Sequence, residues 1–249
     1  MPKQIDKAVG RRTQAERREE SERRMLQAAA ELIAEQGFTT TSLDHIGLRA
    51  GYRRGLVSHK FGSKEGLAHE LIKRIRRNVY DSAIDPVRRK EGGVEAVIEV
   101  ADAYVAGLER RKPYTRALYV LMFESLGPLP ATNEEFKDIS RNLKNVFRDL
   151  LIDAQKSGEL GKHIDCNRLA LHITSNLRGI TLMWLIEGDE FDLDGARAEL
   201  RETLSLRLGG DKGSTKRKGE RRKATPPKNT GGKPGKSQAK AAVKNRKKV

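Results

Sequence analysis

Apolar residues recur at helical spacing through most of the chain between residues 21 and 208, and this pattern predicts a protein made of helices. In the first segment, about 21–36, they repeat at i, i+3 and i+4: Met25, Leu26, Ala29, Leu32 and Ile33. Gly37 ends this helix. Further amphipathic segments are expected at about 64–84, 94–108, 113–125, 132–157, 165–187 and 192–208. We therefore expect an all-α fold.

The stretch Thr41–Phe61, TSLDHIGLRAGYRRGLVSHKF, differs because a glycine turn separates two short helices. The first is expected at 42–50, where Thr41 and Asp44 resemble a capping box and Gly51 marks the end. The second is expected at 53–61, with three residues directed inward: Leu56, Val57 and Phe61. A helix, a glycine turn and a short basic helix form a helix-turn-helix pattern, whose second helix enters the DNA major groove.

Charge changes this picture at the end of the chain. The 249 residues carry a formal net charge of +16, with a pI near 10.0, which favours nucleic acid over membrane as a partner. Residues 209–249 hold 15 Lys/Arg and 2 Asp/Glu, a net of +13, so the rest is nearly neutral. This segment lacks hydrophobic periodicity, and we expect a disordered tail. Such a tail suits DNA binding through counterion release, RNA binding or solubility alone.

Other functional classes find little support. The chain shows no secretory signal, no apolar run of roughly 18–20 residues for a membrane span, and one cysteine, Cys166, which fits a reducing cytosol. It has no phosphate-binding glycine loop, metal-spaced Cys/His cluster or nucleophile elbow. His163 and Cys166 resemble a nucleophile and its base, but they lie at an expected turn between helices, and we interpret their proximity as coincidence. We expect no enzyme activity, no catalytic residue, no metal, no cofactor, and a cytoplasmic, nucleoid-associated location.

The residues around the turn are more specific than a generic helix-turn-helix. They are AAAELIAEQGF at 28–38, Thr41-Ser42, Ile46, Ala50-Gly51, Gly55, Phe61 and Ser63-Lys64-Glu65 with Leu67. Over residues 25–72 the chain resembles the N-terminal domain of the tetracycline-repressor (TetR) family of transcriptional regulators. The resemblance implies an all-helical homodimer with a ligand-responsive C-terminal domain that binds an inverted-repeat operator. Arg53, Gly47, Ser58 and Lys60 depart from the family pattern, so family base contacts do not transfer to position 58.

A recognition helix needs side chains that reach base edges, flanked by groups that bind phosphate. We expect Arg53 and Arg54 to contact base edges, and contact with phosphates alone is an equal alternative. Ser58 and His59 are expected to contact either bases or the DNA backbone. Thr41, Lys60 and Lys64 suit phosphate binding. For Lys64, the positive N-terminal end of the helix that follows also favours an anion. The predicted DNA-binding set is Thr41, Ser42, Tyr52, Arg53, Arg54, Ser58, His59, Lys60 and Lys64.

The C-terminal helices offer two further predictions. Polar and aromatic groups there either line an effector pocket for a hydrophobic small molecule or pack in the core: Tyr104, Met122, Phe123, His172, Asn176 and Trp184. The last two helices, about 165–208, have wide apolar faces that either close an intramolecular core or, as the resemblance implies, pair with a second subunit.

These observations predict four regions: a mobile basic arm at 1–20, a helix-turn-helix DNA-binding domain at 21–66, a helical effector-binding and dimerisation domain at 67–208, and the tail at 209–249. The arm either contacts DNA or is simply solvated. The expected function is a transcriptional regulator, in particular a repressor, that binds a palindromic operator on double-stranded DNA as a homodimer and is released by a small molecule. The alternative is an architectural protein that binds DNA without sequence preference through the tail.

Overall fold

A computed structural model describes residues 13–53, 55–89 and 92–209, and every regular element in these ranges is helical. The helices are α1 (Gln14–Gln36), α2 (Leu43–Arg49), α3 (Leu56–Phe61), α4 (Lys64–Val79), α5 (Asp85–Arg88), α6 (Gly93–Ala106), α7 (Lys112–Glu124), α8 (Asn133–Lys156), α9 (Cys166–Glu187) and α10 (Leu193–Gly209). The all-α prediction is confirmed. No helix of the described ranges is long and apolar enough to cross a membrane.

Helix α1 begins seven residues before the predicted start at Ser21. Thr13 caps it, because the Thr13 hydroxyl accepts a hydrogen bond from the Glu16 amide while the Glu16 carboxylate accepts one from the Thr13 amide. The prediction of a mobile arm at 1–20 is therefore wrong for residues 13–20. The rest of the arm lies outside the described residues, as does the tail beyond Gly209.

Helix α4 begins as predicted, with Ser63 as its N-cap, but it does not run unbroken to residue 84. A π-helical segment, Tyr80–Ile84, separates it from α5. This wider turn holds an extra residue, and it directs Ala83 and Ile84 into the core. Segments of this type are rare and occur frequently at functional sites.

Thr132 and Glu135 have the spacing of a capping box in the sequence, but they do not form one at the start of α8. A short 3₁₀ turn, Pro130–Thr132, precedes the helix, and the Thr132 hydroxyl donates to the Leu129 carbonyl instead. The Glu135 carboxylate lies 2.5 Å from Nδ1 of His69 on α4. Glu135 therefore links two helices rather than capping its own.

The apolar side chains form two clusters. The first, which we call the N-terminal cluster, joins α1–α4 and also takes Ala117 and Leu121 of α7 and Phe136 of α8. The second, the C-terminal cluster, joins the π-helical segment to α6, α8, α9 and α10. The N-terminal cluster extends along α4 to Ile75, past the predicted domain boundary after residue 66. The division into domains stays a prediction.

Candidate functional site

Two short helices and the turn between them form the candidate nucleic-acid interface. Helix α2 packs on α1 and α3, and Ile46 and Val57 are buried where α2 and α3 meet. Gly51 and Gly55 bracket the turn with φ values of +78° and +86°, in the left-handed region that favours glycine. The predicted helix-turn-helix arrangement is present.

The second helix, α3, begins at Leu56, not at Arg53 as predicted. Gly55 occupies the N-cap position and offers no side-chain hydrogen bond to the first turn. Arg53 therefore lies exposed in the turn before α3. Arg54 lies outside the described residues.

Two predicted DNA-binding residues are accessible within α3. His59 is exposed, and Ser58 is partly exposed beside it. Together with Arg53 in the turn, they form the polar part of the α3 surface. Tyr52 is half-buried, and its ring packs against the N-terminal cluster.

Thr41 is buried within the protein, and its predicted role in phosphate binding stays a prediction. Thr41 is only 2% exposed, and its hydroxyl donates to the Gly37 carbonyl at 2.7 Å. The N-cap of α2 is Ser42, whose hydroxyl accepts a hydrogen bond from the His45 amide at 3.1 Å. In this conformation Thr41 stabilises the loop before α2, and phosphate contact would require its hydroxyl to leave the Gly37 carbonyl.

The two predicted phosphate-binding lysines have partners within the protein. The Lys60 ammonium lies 2.8 Å from the Glu22 carboxylate of α1. The Lys64 ammonium donates to the Thr39 carbonyl at 2.9 Å and lies 4.5 Å from the centre of the Phe38 ring. Burial lowers the pKa of Lys64. In this conformation both side chains hold the helix-turn-helix unit together, and phosphate contact requires them to leave these partners.

The helical pattern missed one exposed residue of α3. Leu56 was predicted to face inward, but it is 40% exposed at the start of the helix. The helical spacing indicates that Leu56 is exposed, because Val57 and Phe61 are four residues apart and define the packed stripe. Leu56 belongs instead to the stripe of Lys60, which is polar. An exposed leucine here is suited to apolar contact with a thymine methyl group.

A second candidate site is a small internal cavity of about 50 Å³ between α4, α7, α8 and α9. Its wall is mainly aliphatic and aromatic, with three tyrosines, Tyr80, Tyr104 and Tyr119, and two arginines, Arg76 and Arg178. Burial raises the pKa of Tyr80 and of Tyr119. A space of this size holds water molecules but no drug-sized ligand.

The structure brings together only part of the predicted effector set. Tyr104 and Met122 line the cavity, whereas Phe123 is exposed and borders an open groove beside it. Trp184 is buried in the C-terminal cluster, away from the cavity wall.

His172 and Asn176 were also misplaced. They lie on the exposed face of α9, where the Asn176 amide nitrogen is 3.1 Å from Nε2 of His172. Their prediction as pocket-lining residues is wrong, because the apolar side of α9 at Ile173 and Leu177 takes the core positions.

A helix-turn-helix unit packed on a larger helical body defines a DNA-binding transcriptional regulator. The model of the bacterial regulatory proteins of the tetR family matches residues 25–71. This match coincides with α1–α4 up to Leu71, the part of the chain in which the turn and its two glycines lie. Residues 25–71 therefore contain a DNA-binding domain of the TetR family.

Similar proteins that are transcriptional regulators support this assignment. BetI 1 from Chromohalobacter salexigens, an HTH-type transcriptional regulator, is 33% identical over 85 residues, which span 34% of this chain and 41% of BetI 1. The HTH-type transcriptional repressor BepR from Brucella suis is 25% identical over 202 residues, covering 79% of this chain and 96% of BepR. In fold, the chain is similar to NalD, the secondary repressor of the MexAB-OprM multidrug efflux pump in Pseudomonas aeruginosa. The TM-score is 0.60 at 23% identity, over 76% of this chain and 95% of NalD.

Proposed function

We propose that this regulator is a repressor that binds a palindromic operator as a homodimer and leaves it when a small molecule occupies the C-terminal helices. The observation that carries the proposal is the exposed α3 surface of a helix-turn-helix unit within the region matched by the family model. Two relatives are repressors by name, BepR and NalD. The proposal assigns no catalytic role, metal or cofactor, and it places the protein in the cytoplasm at the chromosome.

The outer face of α9 and α10 supports the homodimer. Met183 and Ile186 on α9 and Leu206 on α10 are exposed large apolar residues that lie outside the open groove bordered by Phe123. Gly179 lies on the same face of α9 and leaves room for the close approach of another helix. If two chains pack these faces together about a two-fold axis, the contact buries apolar surface that is exposed to water in a single chain. It also supplies the two recognition helices that half-sites about 34–36 Å apart require.

The cavity and the neighbouring groove support regulation by a small molecule. Arg76 and Tyr80 at the end of α4 line the cavity together with residues of α7, α8 and α9. Because α4 also packs on α1 and α3, a ligand that enlarges the cavity displaces an element of the DNA-binding unit. A coupling free energy of about 1–3 kcal/mol is typical for two such sites.

A footprint on the promoter of the protein's own gene tests the function. We expect discrete protection of an inverted repeat by the full chain and by a chain that ends at residue 209. Uniform coverage that disappears with the tail would instead establish the architectural alternative, in which the charge of residues 209–249 does the binding.

Substitutions of Arg53 and Arg54 test whether these side chains contact bases. Arg53→Ala and Arg54→Ala are each expected to cost about 1–3 kcal/mol on the operator and to relax preference at one base pair, if the guanidinium contacts a base edge. Arg110→Ala, an exposed arginine outside the helix-turn-helix unit, is the control. Binding to many sequences is measured in parallel, and an equal loss on all DNA assigns the residue to phosphate alone.

A further inference from the structure

An open groove of about 730 Å³ runs between α7, α8 and α9, beside the internal cavity. Its wall is apolar and basic. It holds four cations, Lys137, Arg141, Lys144 and Arg178, and none of its lining residues, all of which lie in the described ranges, is acidic. We propose that this basic groove is the effector site and that the effector is an amphipathic organic anion, with an apolar body and one negatively charged group. The inference rests on the proposed function and adds the chemical class of the ligand.

Arg178 is the strongest element of the site. Its side chain is half-buried, with Nη1 3.2 Å from Met122 Sδ and Nη2 donating to Ser140 Oγ at 3.0 Å. No carboxylate among the described residues forms an ion pair with it, whereas Arg197 binds Asp102 through two hydrogen bonds. A guanidinium that is partly removed from water without a counter-charge is unfavourable. An anionic ligand supplies that charge through charge-assisted hydrogen bonds.

Lys144 is the second group for the anion. It is half-buried one helical turn beyond Arg141 and has no ion pair with another described residue. The other two cations of the wall are already neutralised within α8, since Lys137 pairs with Glu134 at 2.5 Å and Arg141 with Asp138 at 2.7 Å. The anionic group is therefore expected between Arg178 and Lys144.

The rest of the groove suits an apolar body. Phe123, Leu126 and Leu171 are exposed large apolar residues that line it. Met122, Phe136 and Arg178 line both the groove and the internal cavity, so they form the partition between the two spaces. An apolar chain that displaces the Met122 side chain enters a cavity whose wall is mainly aliphatic and aromatic. The volume of the groove falls in the range of about 300–1,000 Å³ that ligand sites occupy.

The charge of the groove distinguishes this occupant from a second copy of the chain. A two-fold contact centred on the groove would bring Arg178 and Lys144, which have no ion pair among the described residues, close to their own copies, and like charges at short distance are unfavourable. An anion with an apolar body matches both the charge and the exposed apolar side chains.

Two probes of almost the same shape test the inference in the full chain. 1-Anilinonaphthalene-8-sulfonate carries the negative charge, and N-phenyl-1-naphthylamine is its neutral analogue. We expect the sulfonate to bind at one site per chain. Arg178→Gln and Lys144→Gln are each expected to weaken it roughly tenfold, the loss of about one charge-assisted hydrogen bond, and to change binding of the neutral probe less than twofold. Arg207→Gln on α10, which removes an exposed arginine outside the groove, is expected to change neither.

Three results would overturn the inference. In the first, Arg178→Gln and Lys144→Gln weaken both probes equally, which assigns the two residues to packing. In the second, the wild-type chain does not prefer the sulfonate. In the third, sulfonate binding falls as the protein dimerises, which places a second copy in the groove. Lys144 has no side-chain hydrogen bond or ion pair with another described residue, so Lys144→Gln remains informative if Arg178→Gln does not fold.

The footprint and the probe measurements together distinguish this inference from the proposed function. If the footprint shows no discrete operator but the two probes behave as expected, the groove is an anion site and the repressor proposal fails. If the operator is protected and the probes are not distinguished, the repressor proposal stands and the ligand class is wrong. A further test compares laurate with 1-dodecanol for release of the protein from its operator, and the inference predicts release by laurate alone.

Discussion

At the scale of single residues, Gly47 in α2 offers a stability test. A Cβ at this buried position would lie 3.4 Å from Cγ2 of Val57 and 3.6 Å from the Arg53 carbonyl oxygen, which is ordinary contact. Gly47→Ala is therefore expected to raise the free energy of unfolding by up to about 1 kcal/mol, because alanine loses less backbone entropy in a helix. Gly51→Ala is expected to lower it by about 1–2 kcal/mol, since φ is +78° there. Urea denaturation measures both, and destabilisation by Gly47→Ala would mean that Val57 cannot adjust.

Residues near the turn also show what the sequence could and could not predict. Thr41 and Ser42 are both good N-cap residues, and the pattern cannot choose between them. The choice depends on the loop before α2, where Glu124 of α7 accepts hydrogen bonds from the Phe38 amide at 2.9 Å and the Thr39 hydroxyl at 3.1 Å. These contacts join positions more than 80 residues apart, so local reasoning misses them.

Helix positions, in contrast, were predicted well wherever the apolar spacing was long. The packed stripe of α9, Leu169, Ile173, Leu177 and Trp184, is buried as its spacing predicts. The polar residues between them were harder to place, because a helix with apolar groups on two sides gives no inward direction to His172 and Asn176. The start of α1 was missed for a different reason: its first two turns are charged and carry only the capping signal of Thr13 and Glu16.

The π-helical segment after α4 can be tested as an element. Deleting Asp81, which is exposed, removes the extra residue and is expected to rotate the buried Ile84 away from the C-terminal cluster. We expect the free energy of unfolding to fall by about 2–5 kcal/mol, as for the loss of a large buried side chain. Asp81→Ala changes the same residue without changing the register, and it is expected to have little effect. Equal denaturation curves for the two variants would show that the wider turn is not needed for packing.

At the scale of the whole molecule, the exposed face of α9 and α10 predicts the oligomeric state. Ile186 is 67% exposed in the single chain. Ile186→Asp is expected to weaken dimerisation on the order of 100-fold, because an unpaired carboxylate would be removed from water in an apolar contact. Sedimentation over a range of protein concentrations measures this. Leu48→Asp, at an exposed leucine of α2, is the matched control and should remain dimeric; equal behaviour of the two variants would remove α9 from the interface.

The N-terminal cluster has a consequence for exchanging parts between related regulators. Ala117 and Leu121 of α7 are completely buried against α1–α4, although they lie more than 50 residues beyond the end of α3 at Phe61. A hybrid joined after residue 66 would place a foreign α1 on this unchanged patch of α7. Such hybrids are expected to fold stably only when the side chains at 117 and 121 are transferred with the new DNA-binding unit. The portable module of this regulator is therefore discontinuous in sequence.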